Sequence, residues 1–375
     1  ILQDARMLTP EAEAASPNDL VIAVSGEATV LAGALEQAEV LLKQKATAAT
    51  AASAAGGAYT PRTLSGARKA NPAANIAVIS VAGRFATAEA WDALHQGLHV
   101  LLFSDNVSLE DEIALKTYAV EHGLLLMGPG AGTAILNGVA LGFANKLPRG
   151  PVGIVSAAGT GLQEVSTLLA RQGVGISQGI GSGGRDLKEA VGGLMMLAGL
   201  QALQEDPETE VIVLVSKPPA HEVAEKILRQ VARSAKPTVA CFLGASFSQQ
   251  TGKVKAARTL EEAALLAAHL ANPHPTPLAA GKGAHLPRPH FNPQQRCLRA
   301  LFSGGTLCYE AQVIWREQLA SAVFSNAPLE AAFRLPDSNH SQGHSAIDLG
   351  EEEFTVGRPH PMIDNDLRIR RLLQE

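Results

Sequence analysis

Short apolar runs alternate along this chain with longer stretches whose apolar residues recur every three or four positions. Runs of that length suit buried parallel strands, and the stretches between them suit helices covering the sheet faces. The pattern predicts a strand over 75–81, a helix over 86–96, a strand over 98–103, a helix over 108–121 and a buried strand over 124–127. Ser108 is placed to cap its helix, and Glu110, Asp111 and Glu112 fall in the first turn, where the positive end of the helix dipole favours acids. A second series reads strand 152–156, helix 162–172, helix 187–203, strand 211–216, helix 220–235 and strand 238–243. A third begins with strand 298–303 and helix 306–319 and offers one clear unit. Strands alternating with helices in this way predict an α/β fold, with a Rossmann-like parallel-sheet domain followed by a flavodoxin-like domain and the start of another.

Two separators divide the series. Residues 48–58 are small and low in complexity, and 271–293 carry six prolines, so both read as linkers or surface loops. The expected organisation is a partial N-terminal region and linker over 1–58, the Rossmann-like domain over 59–147 and the flavodoxin-like domain over 148–271. A linker over 272–295 then leads to a truncated last domain over 296–375. Ile1 stands where Met is usual and the helical stretch 367–373 runs to the last residues, so both ends read as cut.

Composition narrows the function. With 46% hydrophobic residues but only 4% aromatics, the core is built from Ala, Val, Leu and Ile. A net charge of -5, with no cluster of Lys and Arg on a predicted helix, gives no footprint for nucleic acid or anionic lipid and leaves a small-molecule ligand. Cys241, Cys297 and Cys308 are odd in number and lack C-x-x-C spacing, which implies neither a disulfide framework nor a zinc site. No apolar run reaches the roughly 18 residues of a membrane span, and no signal-peptide pattern opens the chain, so a cytoplasmic location is expected.

Two strand-to-helix turns rhyme: Val155-Ser156-Ala157-Ala158-Gly159-Thr160 and Leu301-Phe302-Ser303-Gly304-Gly305-Thr306. The first N–H groups of a helix lack intrahelical acceptors and together carry roughly half a positive charge, which suits an anion. Ser156, Gly159, Thr160 and Gly161 form one candidate phosphate cradle, and Ser303, Gly304, Gly305 and Thr306 the other. Each is also compatible with a tight, well-capped turn and nothing more. The glycine-rich run from Gly179 to Asp186 suggests backbone approaching a ligand, with Gly183, Gly184, Arg185 and Asp186 as candidate substrate-loop residues. Asp186 is alternatively the cap of the next helix. Gly130 and Ala131 join that candidate loop, because they follow a strand at its C-terminal end, where open α/β sheets bind ligands.

Near the end, residues 343–350 and 357–364 gather His344, Asp348, Arg358, His360 and Asp364 among prolines and glycines. Arg358, His360 and Asp364 are the candidate catalytic set, able to hold a carboxylate or phosphate and move a proton; a rigid surface loop is the alternative. His95, His99, His122 and His269 lie at predicted helix ends and are given no role, and no metal-ligand spacing is present.

Several strings resemble the succinyl-CoA synthetase and ATP-citrate lyase superfamily, over about residues 75–272, with the last region similar to the start of its ligase domain. They are Met127-Gly128-Pro129, Val152-Gly153-Ile154-Val155-Ser156 with Gly159-Thr160, Gly181-Ser182-Gly183-Gly184, and Lys236-Pro237-Thr238-Val239. Within it the chain is most similar to the FdrA family, through Leu102-Phe103-Ser104-Asp105-Asn106-Val107, Gly183-Gly184-Arg185-Asp186-Leu187, Ser216-Lys217-Pro218-Pro219-Ala220 and the string from Gly357 to Asp364. The resemblance implies succinyl-CoA synthetase-type domains in which the two cradles are the helices that hold a phosphorylated histidine. That histidine follows Cys241-Phe242-Leu243-Gly244 in the superfamily, whereas this chain runs Thr251-Gly252-Lys253-Val254-Lys255-Ala256-Ala257-Arg258, so a phosphohistidine relay is not expected. FdrA proteins usually carry Asp-Cys where Gly130-Ala131 stands here.

The glycine-rich loop that binds coenzyme A is not visible before residue 75, which puts that cofactor in question and leaves phosphate or carbamoyl phosphate as the implied ligand. FdrA proteins look like subunits of the oxamate carbamoyltransferase of allantoin breakdown. The resemblance therefore implies carbamoyl or acyl transfer to or from phosphate, with partner subunits or as a homodimer. An ADP-forming acyl-CoA synthetase subunit and a non-catalytic binding subunit stand as alternatives.

Overall fold

The computed structural model describes parts of 9–41 and then residues 61–245, 254–272, 296–319, 321–356 and 358–375. The expected linkers at 48–58 and 272–295 lie almost wholly outside these residues. The chain forms two compact units, Ile1–Ala73 and Ala74–Glu375. In the first, helices at Pro10–Glu13 and Leu64–Ala70 are capped by the hydroxyls of Thr9 and Thr63.

The second unit opens with β1 (Ile76–Ile79), α1 (Gly83–His95), β2 (His99–Leu102), α2 (Leu109–Glu121) and β3 (Leu126–Met127), a parallel sheet in the order β1-β2-β3. Ser108 caps α2 as expected, its hydroxyl accepting from Asp111 N at 3.0 Å. A hairpin follows, β4 (Thr133–Leu136) and β5 (Val139–Gly142), which the hydrophobic pattern did not suggest. Its signal was present in Asn137-Gly138, both with positive φ (51° and 79°), the dipeptide that favours a two-residue hairpin turn. The hairpin joins the sheet of the next region, so the sheet boundary falls between Met127 and Thr133 rather than at 147.

That next sheet is built from β6 (Arg149–Ser156), α3 (Gly159–Arg171), β7 (Ile176–Gly181), α4 (Leu194–Glu205), β8 (Val211–Ser216), α5 (His221–Ala232), β9 (Thr238–Phe242), β10 (Val254–Ala256) and α6 (Leu260–Ala271). Its order is β10-β9-β8-β6-β7-β4-β5, parallel except at the hairpin. β8 is buried along its whole length, which explains its unbroken apolar sequence. Val211, Val213 and Val215 face α3 and α6 with Leu162, Val165 and Ala263. Ile212 and Leu214 face α4 and α5 with Met196, Leu200 and Ile227, following the two-residue alternation of a strand. The expected helix over 187–203 starts only at Leu194, because Gly192 and Gly193 take φ of 76° and 77° and the preceding residues form turns.

The last region is β11 (Arg299–Phe302), α7 (Gly305–Leu319), β12 (Val323–Phe324), β13 (His344–Asp348), α8 (Glu352–Thr355) and α9 (Asp366–Gln374). Its three strands are parallel in the order β11-β13-β12. Residues 344–348, expected to lie in a loop, are therefore its central strand, with Ala346 and Ile347 fully buried. Parallel pairing requires a long crossover between β12 and β13, which hides the unit from a search for evenly spaced strands.

Candidate functional site

Both rhyming turns end strands and start helices, as their small residues require. In the first, Ser156 Oγ donates to Ala158 O at 2.7 Å and lies 3.1 Å from Ala158 N, so the hydroxyl shapes the turn itself. The first intrahelical bond of α3 is Leu162 N to Ala158 O, and no side chain caps the amides of Gly159, Thr160 and Gly161 ahead of it. In the second, α7 starts at Gly305 directly after Ser303 and Gly304.

The fold brings these turns into contact. A Cβ on Gly304 would fall 2.3 Å from Thr160 Cγ2, and one on Gly161 would lie 3.2 Å from Thr306 Cγ2. Glycine at 304 is thus a packing requirement, since any side chain would displace Thr160.

Around this junction stand groups from three further segments. The Cβ position of Gly305 is 2.5 Å from Lys217 Nζ and 2.8 Å from Asp348 Oδ2. That of Gly350 is 3.0 Å from His360 Nε2, 3.1 Å from Asp348 Oδ1 and 3.2 Å from Ser303 O. Asp348 therefore turns one oxygen toward Lys217 and the start of α7 and the other toward His360. It is 2% exposed, and burial pushes its carboxyl up to about 6, with Glu351 and Glu353 adding to the rise. The N–H of Gly350, which donates to Oδ1 at 2.9 Å, and the charge of Lys217 act the other way. Burial lowers the imidazole of His360, against the opposing field of Asp105. Met362 N donates to His360 Nδ1 at 3.2 Å, so neutral His360 carries its proton on Nε2, the atom that faces Gly350. Asp105 in turn lies beside Gly130, whose Cβ position is 3.5 Å from Asp105 Oδ1.

The remaining candidates separate. Of the expected catalytic set only His360 reaches this cluster. Arg358 is exposed and its side chain has no hydrogen bond or ion pair among the described residues. Asp364 Oδ1 accepts from Asp366 N at 3.0 Å and so serves the first turn of α9. Arg185 and Asp186 belong to a buried ion network rather than to an open loop. Lys116 Nζ, fully buried on α2, contacts Glu112 at 2.8 Å, Asp186 Oδ1 at 2.9 Å and Ser182 O at 2.9 Å, while Arg185 Nε reaches Glu112 at 2.7 Å. Asp186 also accepts from Met195 N and Met196 N, which makes it the cap of α4 across the intervening turns. The network ties the three-stranded sheet to the seven-stranded one. Gly183 (φ 94°) is needed because its Cβ would lie 2.9 Å from the backbone of Gly128, so the glycine serves loop-on-loop packing. Gly184 is nearly open, with its nearest neighbour at 3.9 Å, and Ala131 is buried in the core.

Two residues of the cluster, Lys217 and Asp105, carried no individual role in the sequence, although each follows the C-terminal end of a strand, β8 and β2. Burial raises the thiols of Cys241 and Cys308 to about 12, which removes them as nucleophiles. Among the described residues no group of three His, Cys, Asp or Glu is placed to hold a metal ion, and no helix is long and apolar enough to cross a membrane.

This chain has an α/β architecture and, over less than half of its length, is similar to succinate–CoA ligase α subunits. It is 30% identical over 177 residues to subunit alpha 1 of the ADP-forming succinate–CoA ligase of Archaeoglobus fulgidus, covering 46% of this chain and 58% of that protein. More particularly, the chain belongs to the family of the Escherichia coli (strain K12) protein YahF, to which it is 45% identical over 393 residues, 100% of this chain and 73% of YahF. Residues 1–58 match the family model described as AllF, heavy metal-associated domain. Among solved structures, ATP citrate lyase from Methanothrix soehngenii in complex with citrate and coenzyme A gives a TM-score of 0.44 at 22% identity, covering 56% of this chain and 37% of that one.

Proposed function

We propose that this chain is an FdrA-like subunit of an enzyme that moves a carbamoyl or acyl group to or from phosphate, as in oxamate carbamoyl transfer, working with partner subunits or as a homodimer. The observation that carries this reading is the contact of the two first turns, Thr160 against Gly304 and Gly161 against Thr306. In such a transfer the nucleophile forms a bond to the carbamoyl or acyl carbon, the carbon–oxygen bond to phosphate breaks, and phosphate departs with the bonding pair. The amides of Gly159–Gly161 and Gly305–Thr306 are fixed donors for that phosphate and need no rearrangement as charge develops. His360 offers an Nε2–H to a substrate oxygen, and exposed Arg358, which is not part of the cluster, is left without an assigned role. Asp364, occupied with Asp366 N, is left out.

The alternative is an ADP-forming acyl-CoA synthetase subunit, favoured by the similarity to succinate–CoA ligase α subunits. Against it stands the stretch between His221 and His269, which contains no histidine where the superfamily places its phosphorylated one. The complete protein with its partner subunits, given carbamoyl phosphate and oxamate, is expected to release inorganic phosphate and form a carbamoylated product. Thioester formation from ATP, coenzyme A and succinate, with no reaction in the first mixture, overturns the proposal.

A further inference from the structure

Lys217 stands in a place that is electrostatically unfavourable as the protein is folded. Its ammonium lies against Gly305, at the positive end of α7, and forms no hydrogen bond or ion pair among the described residues. A cation at a helix N-terminus is normally disfavoured. Here the uncapped turn of α3 is also in contact, so one ammonium and the first turns of two helices converge.

The single buried carboxylate at this point, Asp348, does not answer that charge as a resident anion would. Its one hydrogen bond runs from Gly350 N to Oδ1, and no first-turn amide of α7 donates to it. Oδ2 faces Gly305 and Lys217 without a donor, although the side chain is 2% exposed. A carboxylate satisfied by a helix N-terminus is held below its usual range, whereas this one is raised. The groups facing Asp348 are Lys217 beyond β8, Cys308 on α7, Glu351, Glu353 on α8, and His360, which itself faces Asp105. Glu351 and Glu353 add negative charge around Asp348, so a further anion entering beside Oδ2 favours the neutral form of its carboxyl.

Resting on the reading of the cleft as a phosphate site, we propose that Lys217 contacts a tetrahedral oxyanion of the phosphate class held against the first turns of α3 and α7, and that Asp348 takes up one proton from solvent when the anion enters. Lys217 thereby sets the preference for a doubly charged anion, and Asp348 couples its binding to pH.

Titration calorimetry of the full chain with sulfate tests this, because sulfate does not change protonation between about pH 5.5 and about pH 8, on either side of the Asp348 midpoint. Sulfate is expected to bind about tenfold or more tightly at the lower pH and to be displaced by inorganic phosphate. Lys217→Ala weakens it at least about tenfold at both pH values and Lys217→Arg restores most of the loss, since the charge is what matters. Asp348→Asn removes the pH dependence and binds at pH 8 as the unsubstituted chain does at pH 5.5, while His360→Gln leaves the dependence in place. Sulfate binding unchanged in Lys217→Ala, or a pH dependence that disappears with His360 rather than Asp348, overturns the inference and leaves the phosphate reading standing. No binding of sulfate or phosphate at either pH overturns both. Lys217 makes no hydrogen bond or ion pair among the described residues, so circular dichroism of Lys217→Ala is expected to match the unsubstituted chain.

Discussion

The contact between the two first turns predicts a large penalty for one methyl group. In Gly304→Ala the new Cβ would lie 2.3 Å from Thr160 Cγ2, 2.8 Å from Thr160 Oγ1 and 3.1 Å from Thr160 Cβ. Carbon atoms prefer roughly 3.5–4.0 Å, so the nearest pair overlaps by more than about 1 Å. Thr160 is β-branched and sits in the first turn of α3, where χ1 is restricted, and it cannot swing aside without cost. No positive φ is involved at Gly304, so the effect comes from the contact alone. Overpacking of this kind costs about 1–3 kcal/mol. Thr160→Ala deletes the two nearest atoms and leaves the third at 3.1 Å, tight but tolerable, so the double variant is expected to recover about 1–2 kcal/mol of that loss as a coupling energy. Urea denaturation of the four proteins, followed through the fluorescence of Trp315 on α7, measures it. Gly184→Ala, with no neighbour closer than 3.9 Å, serves as the control. A coupling energy indistinguishable from zero would mean that the turns do not meet, and the phosphate reading would fall with it.

Other consequences follow from burial. Lys116→Met leaves Glu112 and Asp186 buried without their shared cation and is expected to destabilise by about 3–5 kcal/mol in chemical denaturation, whereas a change near zero would show that the network is dispensable. Asp348 has a folded value raised from 3.8 to about 6, so the folded state binds its proton more readily than the unfolded chain. Stability relative to Asp348→Asn is therefore fully present below about pH 4 and is lost as pH rises through about 6, by roughly 3 kcal/mol in all. Parallel stability curves for the two proteins across that window refute the assignment. Iodoacetamide at mildly alkaline pH is expected to modify exposed Cys297 in the native protein and to spare Cys241 and Cys308 until urea is added, as peptide mass spectrometry would show.

Features set by neighbours in the chain were legible in the order of residues. The cap at Ser108, the acid-rich first turn of α2, the buried run of β8 and the small residues that turn β6 into α3 and β11 into α7 depend on residues only a few positions apart. The α/β class and the two amide-lined turns are therefore properties of local sequence. Some local features stayed hidden because their signals were weak or mixed. β7 carries Gln178 and two glycines in six residues, and the hairpin at Asn137-Gly138 was obscured by the short runs on either side.

Which residues face one another is a matter of long-range packing. Thr160 meets Gly304, and Lys217 meets Gly305, because strand order and the packing of α7 on α3 place segments far apart in the chain at one end of the sheets. The same packing buried Asp186 and tied it and partly exposed Arg185 into a network with Lys116 and Glu112, and turned Asp348 inward at the end of a central strand. A charged residue reads alike in sequence whether it ends up in solvent, in a buried ion pair or beside a ligand. Its role depends on the charges and dipoles brought within a few ångströms of it, and those come from elsewhere in the fold.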